Sequence, residues 1–120
     1  MPRVLVIEDD AALRLVAQTA LAGAGFVVDT AENGAEGLSL AAEHAPDVIV
    51  LDSQMPTMNG VAFVRAYRKA APRLAPIVAV SARDDVSLFA ALVGAAAFVP
   101  KPYGVDDLVA TVQRTFQRAT

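Results

Sequence analysis

Apolar positions along this chain fall into two alternating patterns. Short unbroken runs, Val4-Leu5-Val6-Ile7, Val48-Ile49-Val50-Leu51 and Ile77-Val78-Ala79-Val80, are rich in β-branched residues and predict strands buried on both faces. Phe26-Val27-Val28-Asp29-Thr30 is a strand that turns polar early and so sits nearer an edge, and Ala97-Phe98-Val99 is a short last strand. The third run leads straight into Asp52. Ser53-Gln54-Met55-Pro56 then stops it, because proline lacks the N–H a central strand needs. The fourth strand is predicted over Pro76–Val80 with Ser81-Ala82 following its end, and Pro100-Lys101-Pro102 follows the fifth.

Between the runs the apolar spacing is helical. Asp10 is placed to cap a helix with Leu13, Val16, Ala17, Ala20 and Leu21 on its inner face, ended by Gly23 and Gly25. Asn33-Gly34 leads into a weak helix over Ala35–Glu43, with Leu38 and Ala41 or Ala42 inward, stopped at Pro46. Asn59 caps a helix carrying Val61, Phe63, Val64 and Tyr67, with Arg65, Arg68 and Lys69 as its solvated face and Pro72 beyond its end. Asp84 or Asp85 caps Val86–Val93, closed by Gly94, and the last helix covers Val105–Gln117 with Leu108, Val109, Val112 and Phe116 on one face. Strand and helix alternate throughout, which implies a parallel sheet covered on both sides. Right-handed crossovers then bring every strand's C-terminal end to one edge.

The 120-residue length predicts one domain over residues 1–120. With 55% apolar residues the chain can fill a core. No apolar run approaches the ~20 residues of a membrane span, and Met1-Pro2-Arg3-Val4 does not open a signal peptide. Cysteine is absent, which removes disulfide and thiol chemistry and fits a cytoplasmic location. A net charge of -3 argues against a basic nucleic-acid face. There is no internal repeat and no Walker-type glycine-lysine loop. Gly23-Ala24-Gly25 follows a helix rather than a strand, so it is no dinucleotide fingerprint.

The predicted edge gathers chemistry. Glu8 and Asp9 come from the first strand, Asp52 from the third, Ser81 from the fourth and Lys101 from the fifth. Taken singly, each has a bland reading as a cap, a turn residue or a solvated charge. Together, clustered carboxylates repel one another unless a cation compensates. Oxygen donors without histidine or cysteine favour Mg²⁺, Mn²⁺ or Ca²⁺. A cation, an ammonium and a hydroxyl suit a phosphoryl group, and an adjacent aspartate can be its nucleophile.

Val-Ile-Glu-Asp-Asp, Leu-Asp-Ser-Gln-Met-Pro, Val-Ser-Ala and Lys-Pro, in this order and spacing, resemble the receiver domain of bacterial two-component response regulators. The resemblance covers essentially the whole chain. It implies the flavodoxin-like, doubly wound (βα)5 three-layer sandwich with parallel strand order 2-1-3-4-5. It also implies that Asp52 is the phosphoacceptor, that Asp9 and Asp52 ligate Mg²⁺ (or Mn²⁺) with the Gln54 backbone carbonyl, and that Glu8 acts through water. Ser81, with the Ala82 N–H nearby, matches the hydroxyl that binds the phosphoryl group, and Lys101 matches the family's lysine. The Lys101–Pro102 bond resembles one that is usually cis. Met55-Pro56 and Gly60 match the loop after the phosphoacceptor. Phe98 falls on the aromatic switch position, although a plain core role fits it too. Gln54 and Arg83 occupy the positions that tune phosphoryl lifetime.

The implied donor is a sensor histidine kinase or a histidine phosphotransfer protein. The implied output is a reshaped surface of helix four, strand five and helix five. Leu88, Leu92 and the alanines of Gly94-Ala95-Ala96-Ala97 would make that surface apolar, fit for an effector or for a homodimer, while Thr111 lacks the charged pairing of the winged-helix regulator dimer. His44, at a helix end, is a solvated structural residue rather than a phosphohistidine. Two other functions compete. A receiver-like binding module that is never phosphorylated would have lost an acid or the lysine. A phosphatase with an aspartyl intermediate would want a second acid where Gln54 stands.

Overall fold

The computed structural model describes residues 1–119; the expected domain end at Thr120 lies outside them. Strands β1 (Arg3–Ile7), β2 (Val27–Ala31), β3 (Val48–Asp52), β4 (Ile77–Ala82) and β5 (Ala97–Lys101) alternate with helices α1 (Ala11–Gly23), α2 (Gly34–Glu43), α3 (Gly60–Ala70), α4 (Val86–Val93) and α5 (Val105–Ala119). The strands form one parallel sheet in the order β2-β1-β3-β4-β5. This is the flavodoxin-like arrangement, and the polar early strand β2 is indeed an edge.

Side chains alternate across each strand, so the sheet feeds two cores. Leu5, Ile7, Ile49, Leu51 and Ala79 pack under α2, α3 and α4 with Phe63, Phe89 and Val93. Val4, Val6, Val48, Val50, Val78 and Val80 face α1 and α5 with Leu21, Leu108 and Val112. The central strand β3 is buried along its whole length. That explains its unbroken apolar run.

Two predicted caps form: Asp10 accepts from the Leu13 N–H at 3.0 Å and Asn59 from Ala62 at 2.9 Å, and Asn33, not predicted as a cap, accepts from Glu36 at 2.8 Å. The third predicted cap differs, since Asp85 occupies the N-cap of α4 without a side-chain bond. Instead α4 is secured at its other end. Gly94 takes the left-handed conformation with φ 63°, and Arg68 donates to the Val93 carbonyl at 2.8 Å. Arg68 is therefore not simply part of a solvated face: its long side chain reaches a helix C-terminus, where a cation is favoured. His44 is exposed, with its Nδ1 3.8 Å from an Asp29 carboxylate oxygen.

Other boundaries shift as well. Strands β3, β4 and β5 run on to Asp52, Ala82 and Lys101, so Ser81 lies inside β4 and pairs in register with Pro100. The apolar run ends before the ladder does, because the next positions, Asp52 and Ser81, are buried polar groups. Pro100 is tolerated because β5 is an edge strand. Val16 turns outward at 42% exposure while Ala17 and Leu21 point in, because alanines on every side of α1 blur its inner face. In α2, Leu38 and Ala41 pack on the core and Ala42 is exposed. Among the described residues no helix is long and apolar enough to cross a membrane.

Candidate functional site

The strand order places β1 and β5 on either side of the β3–β4 pair, so their C-terminal ends meet over one point. Glu8 follows β1 directly, its N–H fixed to the Ala31 carbonyl at 3.0 Å. Asp52 closes β3. Both carboxylates are almost wholly buried, at 4% exposure. Lys101, from the end of β5, reaches back between them, with Nζ 2.8 Å from Glu8 Oε1 and 3.0 Å from Asp52 Oδ1. Asp9 stands exposed beside them. One carboxylate oxygen from each of Glu8, Asp9 and Asp52 falls within 4.8 Å of the other two.

Electrostatics follow from this crowding. Burial raises the Glu8 carboxyl to about 7; its bond to Lys101 opposes this and the Asp52 charge adds to it. Asp52 is raised for the same first reason, again against the pull of Lys101. Burial works against the Lys101 ammonium, yet its bonds to the two carboxylates hold it above its ordinary value. One lysine cannot neutralise three acids. An all-oxygen donor set with excess negative charge fits a hard divalent cation. The cluster can therefore hold such an ion.

The structure brings Glu8, Asp9, Asp52 and Lys101 together as the sequence predicts. Ser81 is buried at the end of β4, its Oγ 2.7 Å from Ser53 Oγ. Gln54 and Arg83 are exposed on the loops after β3 and β4. Phe98 is 49% exposed on β5, so it is no core residue in this conformation. The Lys101–Pro102 bond is cis.

Three residues escaped the sequence reading. Arg14 donates to the Glu8 carbonyl at 2.9 Å and to the Asp9 carbonyl at 3.3 Å, so α1 holds the acidic loop from behind. Its place one turn into a helix that follows the acids was the available signal. Ser53 looked like a mere strand stop, and its partner could be found only from the sheet register. Tyr103 is half-buried near the cluster, where burial and then the Glu8 carboxylate push its hydroxyl upward.

Known proteins resemble this chain in sequence and in fold. The chain is 40% identical over 113 residues to the DNA-binding transcriptional regulator NtrC of Escherichia coli K12, covering 92% of this chain and 24% of that protein. It is 37% identical over 120 residues to the response regulator MprA of Mycolicibacterium vanbaalenii, covering 98% of this chain and 52% of MprA. The chain thus spans between a quarter and a half of these relatives. Among solved structures, the receiver domain of the Francisella response regulator 1452 superposes with a TM-score of 0.88 at 28% identity, over 100% of both chains. Vibrio cholerae chemotaxis protein CheY4 superposes at 0.84 with 31% identity, over 96% of this chain and 98% of that one. The family model described as the response regulator receiver domain matches residues 4–113, from the first residues of β1 into α5, and the chain belongs to that family.

Proposed function

We propose that this receiver domain, taken as one unit over residues 1–120, is a phosphoacceptor switch whose site residue is Asp52. The observation that carries this reading is the shared lysine. Asp52 is buried at a strand end, is raised by that burial above its ordinary value, and is held at 3.0 Å by an ammonium that Glu8 also holds at 2.8 Å. A carboxylate with a purely structural role has no need of two further acids beside it.

The donor is a phosphohistidine on a sensor kinase or a phosphotransfer protein. An Asp52 carboxylate oxygen attacks the phosphorus, the P–N bond breaks, and the imidazole leaves with the bonding pair. Lys101 turns part of its charge from Glu8 and Asp52 to the transferring oxygens. The residues that would hold Mg²⁺ (or Mn²⁺) are Asp9, Asp52 and the Gln54 carbonyl, with Glu8 through water; when bound, the ion supplies positive charge against the phosphoryl oxygens. Ser81 moves to donate a hydrogen bond to the new phosphoryl group, and the Ala82 N–H supports it. Phe98, now at the surface, turns inward behind Ser81. This couples the site to the face of α4, β5 and α5, where Leu88, Leu92 and Phe98 are exposed at 64%, 60% and 49%. A two-state surface of this kind controls an effector or a second copy. Gln54 and Arg83 flank the phosphoryl group and set its lifetime. The domain catalyses only its own phosphorylation and dephosphorylation, and it works in the cytoplasm without touching nucleic acid or membrane itself.

Acetyl phosphate with Mg²⁺ tests this. The expected result by intact mass is one phosphoryl group per chain, absent in Asp52→Asn and absent without the metal. An adduct that persists in Asp52→Asn, or none with either acetyl phosphate or a phosphorylated kinase, overturns the reading.

A further inference from the structure

Ser53 is the first residue past β3, and Ser81 is the next-to-last residue of β4. Counting two by two along each strand, both share the face of Ile49, Leu51, Ile77 and Ala79, under α3 and α4. Their hydroxyls meet at 2.7 Å. Among the described residues this is the one side-chain hydrogen bond of Ser81, which is 4% exposed. Ser53 is anchored on both sides, its N–H donating to the Val80 carbonyl at 3.1 Å and its carbonyl accepting from the Gly60 N–H at 3.3 Å. Its backbone therefore cannot follow Ser81 if Ser81 moves.

We infer that Ser53 is a positioning residue for the switch: its hydroxyl holds Ser81 Oγ back in the unphosphorylated protein and so restrains the move towards a phosphoryl group on Asp52. The inference rests on the phosphoacceptor reading above. A hydroxyl has one proton to donate. Either hydroxyl can be the donor in the resting bond. To bond a phosphoryl oxygen, Ser81 must aim its own proton at Asp52, and whichever way the resting bond runs, moving Oγ towards Asp52 draws it away from Ser53. The charge-assisted bond it gains is stronger than the neutral bond it gives up, so the exchange still runs forward, but by less than it would without Ser53. Deleting the Ser53 hydroxyl leaves a buried Ser81 unpaired only while the phosphoryl group is absent. That raises the energy of the resting state alone. The affinity for a phosphoryl mimic should then rise by about three- to tenfold, the scale of one net hydrogen bond.

The test is a beryllofluoride titration with Mg²⁺, followed by the amide NMR signals of Ala82 and Asp52, together with acetyl phosphate labelling of the same proteins. Ser53→Ala is expected to bind beryllofluoride three- to tenfold more tightly, roughly the worth of one hydrogen bond. Ser53→Thr, which keeps the hydroxyl, should return to the wild-type value. In a Ser81→Ala background, Ser53→Ala should change nothing. If Ser53→Ala does not fold, Ser53→Gly deletes the same hydroxyl and takes its place. Unchanged or weaker binding in Ser53→Ala, or the same tightening without Ser81, overturns the inference while wild-type labelling leaves the phosphoacceptor reading standing. Wild-type protein that neither binds the mimic nor labels at Asp52 overturns both.

Discussion

Glu8 shows how one residue can make the site both costly and responsive. Its carboxyl titrates at 4.5 in the open chain and at about 7 when folded, because burial disfavours the charge more than Lys101 favours it. Between those values the folded state binds more protons than the unfolded state, so stability falls as pH rises through that window. Asp52, raised for the same cause, adds to the fall in the same direction. Lys101 is a base, so its raised value works the other way, favouring the charged form: its contribution stays in place until the solution is strongly alkaline. Without metal, Tm should therefore drop by several degrees between about pH 5 and about pH 7.5, as a loss of one or two kcal/mol implies for a chain of this size. Glu8→Gln should flatten that slope. Differential scanning calorimetry in EDTA measures both, and a melting temperature that climbs across this range would mean that Lys101 fully compensates the two buried acids.

At the scale of elements, the loop between β3 and α3 carries the tightest steric constraint on the site. Gly60 opens α3 directly behind Asp52. A Cβ there would lie 2.9 Å from the Asp52 carbonyl oxygen and 2.6 Å from Phe89 Cζ. The ring can turn, but the strand carbonyl cannot retreat without moving the phosphoacceptor. Gly60→Ala should cost about 1–3 kcal/mol, the scale of overpacking a filled core, and should slow labelling of Asp52 by acetyl phosphate. Urea denaturation and the labelling time course give the two numbers, and a fully stable variant that labels at the wild-type rate would mean that the loop yields freely.

The same elements show what a sequence can and cannot display. β1, β3 and β4 were legible because burial on both faces demands unbroken apolar runs. The caps at Asp10 and Asn59 were legible because they are local chemistry. The convergence of Glu8, Asp9, Asp52 and Lys101 was legible because parallel topology sends every strand end to one edge. Arg68 at the end of α4, Arg14 behind the acidic loop and the Ser53–Ser81 pair were hidden. Each depends on which element lies beside which, and on how far a side chain reaches across the gap. Val16 was misread for a different reason: with only Arg14, Gln18 and Thr19 polar, α1 has little polar surface to contrast with its apolar face.

For the whole molecule, the site joins four strand ends of one five-stranded sheet, so occupancy and folding must be linked. Two buried carboxylates share a single lysine with an exposed third acid beside them, and the folded state bears that repulsion while the unfolded chain does not. Asp52→Ala leaves Lys101 paired to Glu8 alone and removes one of the buried charges. Its metal-free form should be more stable than wild type by about 1 kcal/mol near neutral pH, a rise of a few degrees in Tm. Magnesium reverses the ranking. An ion that binds only the folded state adds roughly 2.7 kcal/mol at a hundred times its dissociation constant. Wild-type Tm should therefore climb steadily with Mg²⁺ concentration, while Asp52→Ala, short of a ligand, should respond weakly. The two melting curves are thus expected to cross as Mg²⁺ is added. Parallel curves, or a metal-free Asp52→Ala that melts below wild type, would show that Lys101 alone already balances the cluster. A crossing would show that the acids are held together at the expense of the resting fold, in a form that a cation and then a phosphoryl group can relieve.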